Sequence, residues 1–277
     1  MNKFFLYVLI LFNLIESNMV FSMHKNPFSY DLGIKLIDKN THKSELTLCC
    51  HGYGHSNEIV DVINAINIFD HTLVGFNFPD YGITDESDHT KVAYGTIDEV
   101  LPLLFLLKFY ACEQEIETIN LYGFSAGAGA IINALSILNQ YSHQEKLQHV
   151  GITHEHAQKI VTALAKGVII LECPLKSMQE IIDFRGATQN LTLIASNYNR
   201  NNLNPIDVIP LLKGLTLTFF VHFAKPDEVT SNRDDQIFID RLKSANKGVT
   251  YISTTMQSNH AGYHPELWQS YREYKNS

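Results

Sequence analysis

From residue 45 onward the chain alternates short apolar runs with longer segments of helical spacing, and this alternation constrains the fold more than any other feature. Runs at 32 to 37, 45 to 50, 72 to 77, 117 to 122, 167 to 173, 215 to 222 and 249 to 254 predict strands. Several are unbroken stretches of Val, Ile, Leu, Thr and Phe, as strands covered by helices on both faces should be. Helical spacing falls between them, at 57 to 68, 96 to 111, 126 to 139, 153 to 166, 232 to 245 and 264 to 274. The expected fold class is α/β, a doubly wound, mostly parallel sheet with helices on both faces. Residues 185 to 212 crowd turn formers together in RGATQN and NYNRNNLNP. They are expected to be the least regular part, a small cap at most, inside a single domain spanning 23 to 277.

The first 22 residues have a different pattern. Lys3 precedes an apolar run over 4 to 15 (FFLYVLILFNLI), and Val20-Phe21-Ser22 offers a cleavage point, which together read as a secretory signal peptide. Such a run rises only about 18 Å as a helix, short of the roughly 30 Å hydrocarbon core, so a spanning anchor is disfavoured. The expected location is secreted or periplasmic, with membrane association only if the leader is retained. Lys+Arg 21 minus Asp+Glu 29 leaves a net charge of −8, and no basic run appears. That balance argues against nucleic acid as a partner. The four cysteines (Cys49, Cys50, Cys112, Cys173) form no CxxC pair, which gives a zinc ribbon no support, and they are read as buried thiols.

Residues 117 to 139 (ETINLYGFSAGAGAIINALSILN) run from an apolar strand through GFSAG into a helix, the setting in which a G-x-S-x-G match has chemical meaning. Ser125 stands at the bend. Gly123 and Gly127 lack the Cβ atoms that would collide with the adjoining strand and helix, and the helix start directs N–H groups at whatever the serine attacks. A serine hydroxyl alone is a weak nucleophile, so a base, an orienting acid and oxyanion donors are needed. HGYGHS, residues 51 to 56, follows a strand and supplies a tight glycine turn. The N–H of Tyr53 and that of Ala126 are the candidate oxyanion donors, with His51 and His55 read as structural. The strand LTLTFFVHF leads into AKPDEV and puts Asp227 in a loop past its end; Glu172 at another strand end is the main competitor, and Glu228 adjoins. After VTYIST comes MQSNHAGYHPEL, in which His260 is the candidate base and His264, before Pro265, reads as the start of the final helix. Tyr81 and Phe124 flank the site and could line an acyl pocket or simply pack.

The order Ser125, Asp227, His260, together with HGYG, GFSAG, PDEV and SNHAG, resembles the α/β-hydrolase superfamily over residues 45 to 277. The resemblance implies an acyl-enzyme serine hydrolase acting on a small-molecule or lipid-like acyl ester or thioester, with no cofactor and no metal. VIILECPLKS, residues 168 to 177, is similar to a segment of the compact esterase and thioesterase branches. Two departures stand out: Ala224 replaces the Gly often found before the acid, and the early antiparallel hairpin is reduced to one strand. The alternatives within the fold are an amide- or peptide-directed hydrolase and a catalytically silent binding protein. A dinucleotide-binding reading of YGFSAGAGAII fails because Ile132 stands where G-x-G-x-x-G needs its third glycine. A metal-dependent hydrolase built on His51, His55, His154 and His156 lacks HExxH.

Overall fold

The computed structural model describes residues 32 to 39, 44 to 79, 94 to 140, 144 to 230, 232 to 256, 259 to 261 and 264 to 277, all within the unit Leu32–Ser277. The leader expected at 1 to 22, and Tyr81, lie outside the described residues.

Seven strands form one sheet: β1 (Lys35–Ile37), β2 (Glu45–Cys50), β3 (Thr72–Gly75), β4 (Thr118–Phe124), β5 (Val168–Glu172), β6 (Thr218–Lys225) and β7 (Thr250–Met256). Their order is β1-β3-β2-β4-β5-β6-β7. Only β1 runs antiparallel, pairing Leu36 with Val74. Registers such as Leu48 with Leu121, Leu121 with Ile169 and Ile169 with Phe219 carry the parallel ladder across the middle. From β2 the chain moves outward to β3 and then returns to the other side of β2 as β4, so the strand order reverses between β2 and β4. Ligands of open α/β sheets bind outside the carboxyl ends of the strands at such a reversal.

The central strands are covered on both faces, which explains why their apolar runs do not alternate: β5 is buried at all five positions and β4 at six of seven, while the edge strands β1 and β7 are mostly half-buried or exposed. On one face lie α1 (Ile59–Ile66) and the last helix, Pro265–Lys275, whose Leu267, Trp268 and Tyr271 pack with Ile63, Phe69, Tyr122 and Phe220. Burying side chains of this size contributes about 1.5 to 3 kcal/mol each. The other face carries α2 (Ile97–Lys108), α3 (Ala126–Gln140), α4 (Gln144–His149) and α5 (His154–Lys166). Every residue of α3 from Ala126 to Leu138 is buried, Asn133 and Ser136 included, so the helix is enclosed on all sides and has no solvent face over that length. Helix α5 starts at Thr153, whose side chain accepts from the His156 N–H while the His156 ring accepts from the Thr153 N–H. The His154 and His156 pair thus belongs to a helix start.

Residues 185 to 212 differ from expectation. They are mostly helical: α6 (Met178–Arg185) runs into the stretch, followed by α7 (Gln189–Asn201), α8 (Pro205–Val208) and a 3-10 turn, Ile209–Leu212. Apart from Asn197, which is buried, the turn formers sit at the ends and on the solvent face of α7. Thr188 caps its start by accepting from the Leu191 N–H, and Asn202 ends it in the left-handed region at φ 54°. Inward, Leu191, Ile194, Ala195 and Tyr198 keep the i, i+3, i+4, i+7 spacing of a buried stripe. The Tyr198 hydroxyl donates to buried Glu99, fixing α7 to α2. Helix α9 (Asp235–Ala245) follows β6, and α10 (Pro265–Lys275) ends the chain.

Candidate active site

Ser125 lies between the last residue of β4 and the first of α3, at φ 53°. That left-handed conformation costs a side-chain-bearing residue about 1 to 2 kcal/mol and persists only where the surroundings fix it. Here hydrogen bonds on both sides do so. The Ser125 N–H donates to the Glu172 carbonyl (2.9 Å), and the Ser125 carbonyl accepts from the N–H groups of Ala128, Gly129 and Leu175 at 3.1, 3.2 and 3.0 Å. The flanking glycines are required sterically. A Cβ on Gly123 would lie 2.7 Å from the Ala128 Cα, and one on Gly127 would lie 2.3 and 2.5 Å from the carbonyl oxygens of Cys50 and His51.

Three side chains from three strand ends meet at this bend. The Ser125 Oγ is 2.8 Å from His260 Nε2, and His260 Nδ1 is 2.7 Å from Asp227 Oδ2. Asp227 also accepts from the backbone N–H groups of Val229 and Thr230, both at 2.8 Å. Burial by itself would raise the Asp227 carboxyl. The hydrogen bond and charge of His260, with the two backbone donors, outweigh it and hold the group below its ordinary value. A carboxylate kept ionised beside Nδ1 selects the Nδ1–H tautomer, which leaves the Nε2 lone pair facing the serine hydroxyl. The His260 backbone is fixed as well, since its N–H donates to the Glu228 carboxylate at 2.8 Å. Phe124 packs its ring 5.2 Å from that of His260 and 5.8 Å from that of His55.

The glycine loop after β2 runs beside the serine: a Cβ on Gly52 would sit 3.2 Å from the Ser125 Cβ. His51 fastens this loop to the end of β3. It is buried, accepts from the Phe78 N–H (3.2 Å) and donates from Nδ1 to the Gly52 carbonyl (2.9 Å), and burial lowers its pKa to about 4. It is therefore a neutral structural histidine. Among the described residues, neither the Tyr53 nor the Ala126 N–H donates to a protein acceptor, and the Tyr53 side chain is exposed.

Glu172, the alternative acid, is not at His260. Its carboxylate accepts from the Tyr122 hydroxyl (2.5 Å) and meets His264 Nδ1 at 2.6 Å. His264 is fully buried at the start of α10, so its place there is as expected and its partner is new. The signal that could have found this pair was a glutamate closing an otherwise apolar strand, VIILE. All four cysteines are free thiols; Cys49, Cys50 and Cys173 are buried. The ligand atoms of Cys173, Asp227 and His260 lie within 4.8 Å of one another. That donor set is already engaged, with both imidazole nitrogens hydrogen-bonded and burial pushing the Cys173 thiol up. It does not fit a metal ion.

No protein-family model matches the sequence, and no curated protein is similar to it. Solved structures are similar in fold. Est1E from Butyrivibrio proteoclasticus, determined with ferulic acid bound, matches with a TM-score of 0.60 at 12% identity, covering 88% of this chain and 94% of that one. The esterase Pf2001 of Pyrococcus furiosus matches at 0.55 and 16% identity, over 88% of this chain and 84% of its own. A monoacylglycerol lipase from Paleococcus ferrophilus gives 0.53 and 12%, over 89% and 97%. At these identities the shared property is the fold.

Proposed function

We propose that this chain, whose fold is that of the α/β hydrolases, is a serine hydrolase cleaving a carboxylic ester or thioester through an acyl-enzyme. The observation that carries the reading is the hydrogen-bonded line from the Ser125 hydroxyl through His260 to Asp227.

In the proposed cycle, His260 Nε2 takes the Ser125 proton as the oxygen attacks the acyl carbonyl carbon. Asp227 holds the imidazolium that forms. The developing oxyanion is met by the N–H groups of Tyr53 and Ala126, both without a protein acceptor among the described residues, and by the positive end of α3. Removing one such donor typically costs about 10² to 10³ in kcat. As the tetrahedral adduct collapses, His260 returns the proton to the departing oxygen or sulfur. It then deprotonates the water that releases the acyl group.

A cleft of about 730 Å³ adjoins the site, lined in part by His55, Ile59, Ile63, Phe124, Ala261 and Trp268. Its walls support an apolar acyl or alcohol group as the substrate's bulky part. The leader pattern at 1 to 22 supports action outside the cytoplasm. Ser125→Ala should abolish turnover of a short p-nitrophenyl ester, a loss of about 10⁴-fold or more, with an unchanged melting profile. Equal turnover by the variant would defeat the nucleophile assignment. A wild-type protein that turns over neither esters nor thioesters, and takes up no acyl group at Ser125, would favour the silent binding protein.

A further inference from the structure

Behind the Ser125 site lies a second histidine–carboxylate pair that the proposed cycle does not use. His264 Nδ1 is 2.6 Å from Glu172 Oε1, and His264 Nε2 is 3.1 Å from the carbonyl oxygen of Asn259, the residue before His260. A carbonyl can only accept, so Nε2 carries a proton. The Glu172 carboxylate already accepts from Tyr122 on its other oxygen, and as an acceptor-only carboxylate it would accept a hydrogen bond from Nδ1 as well. An imidazole that donates from both nitrogens is an imidazolium. Glu172 is also the residue whose backbone carbonyl holds the Ser125 N–H. One residue therefore joins the bend carrying the serine to the loop carrying the histidine.

We propose that His264 is a positioning residue: a buried imidazolium, anchored on Glu172, that clamps the Asn259 carbonyl and so holds the His260 loop against the Ser125 bend until it gives up its proton. This rests on the reading of Ser125 and His260 given above.

The physical reason the clamp opens lies in the single proton left after deprotonation. Facing an ionised carboxylate, it stays on Nδ1. Nε2 then presents a lone pair to the Asn259 oxygen, and an attraction becomes a repulsion. The groups around His264 favour the charged form. Glu172 at the end of β5, through its hydrogen bond and charge, and Glu266 on α10, through its charge, both favour it, whereas His222 on β6, with its ring 4.5 Å away, is lowered to about 3 by burial and by the His264 charge and stays neutral. Tyr122 on β4 acts through Glu172, with its hydroxyl pushed up by burial. For His264 itself, burial pulls downward, but the Glu172 hydrogen bond and charge, the Asn259 carbonyl and Glu266 outweigh it and raise the group above 6.5. With a raised folded-state value the clamp is fully present below pH 6.5, and it is lost as pH climbs through that value.

The test has two readouts. The first is the ring-nitrogen spectrum of ¹⁵N-histidine-labelled protein carrying Ser125→Ala, which needs no activity. Both His264 nitrogens should be protonated at pH 6, below the ordinary histidine value, and the Ala261 amide should shift with the His264 titration. A singly protonated His264 at pH 6, or an Ala261 amide indifferent to its titration, would overturn the proposal. The second is the pH dependence of kcat. Wild type should decline on the alkaline side with KM steady. In Glu172→Gln, the side-chain amide donates to a neutral His264 Nδ1, leaving Nε2–H for Asn259 at every pH, so the decline should disappear. A decline persisting unchanged in E172Q contradicts the proposal, since a role in folding alone would leave that limb where it was. If Ser125→Ala retains turnover, the nucleophile assignment falls, while the His264 spectrum still decides the clamp.

Discussion

Two histidines four positions apart, His260 and His264, each set Nδ1 against a buried carboxylate at a strand end, at 2.7 Å for Asp227 and 2.6 Å for Glu172. Their other nitrogens meet different atoms. His260 Nε2 faces a hydroxyl, which can donate to it, and His264 Nε2 faces a carbonyl, which cannot. The partner of the second nitrogen therefore sets the job: the first ring can accept a proton and return it, and the second is filled on both sides and acts as a brace. Near-identical acid–imidazole pairs are thus no sign of catalysis until the far nitrogen is accounted for.

That contrast can be broken pair by pair. The largest effect is expected at Asp227→Asn, whose amide donates to Nδ1 and turns the proton to Nε2, against the serine. Ester turnover should fall by about 10⁴-fold with the fold retained; a loss under tenfold would mean that Asp227 does not orient His260. His264→Phe removes the brace but leaves the Ser125, His260 and Asp227 side chains intact. About a 10²-fold fall in kcat is expected from a misplaced base, with KM steady and Ser125 still labelled, though slowly. A KM change with kcat preserved would place His264 in substrate binding instead. Smaller still is Glu228→Ala, which deletes the acceptor of the His260 N–H. One half-buried hydrogen bond of this kind is worth about 1 kcal/mol, or about fivefold in kcat, and Glu228→Gln, which keeps an acceptor, should restore it.

The two pairs should also separate in their dependence on pH. Asp227 is held below its ordinary 3.8, so its contribution to stability is present above that value and is lost as pH falls through the depressed one. His264 is raised, so its contribution is lost on the opposite, alkaline side. Urea midpoints followed across pH should show Asp227→Asn flattening the acid limb and leaving the alkaline limb alone. Flattening of both limbs would mean that the pairs are not independent.

The sheet was legible because strands buried on two faces are near-continuous apolar runs, and β2, β4, β5 and β6 are, interrupted inside only by Thr47, Asn120 and His222. Helix α7 was hidden because Asn, Ser and Arg on its outer face obscured the stripe of Leu191, Ile194, Ala195 and Tyr198. Within the site, GFSAG announced a bend that only glycines at 123 and 127 permit, since local sterics are written in adjacent residues. Its loop position ranked Asp227 ahead of Glu172 as the acid, but the pairing of Glu172 with His264 was not readable. Glu172 ends β5 and Asp227 lies in the loop just past β6, and Glu172 meets its histidine across 92 positions of chain. Pairings of that kind depend on strand order and loop path rather than on local pattern.

The central claim is that Ser125 is a nucleophile activated by His260. Treating the native protein with a fluorophosphonate, digesting it and locating the added mass by peptide sequencing tests this most directly. A single phosphonylated residue, Ser125, is expected, formed rapidly in wild type and lost in His260→Ala. An adduct on another residue, or labelling of Ser125 that proceeds equally fast without the His260 imidazole, would contradict it.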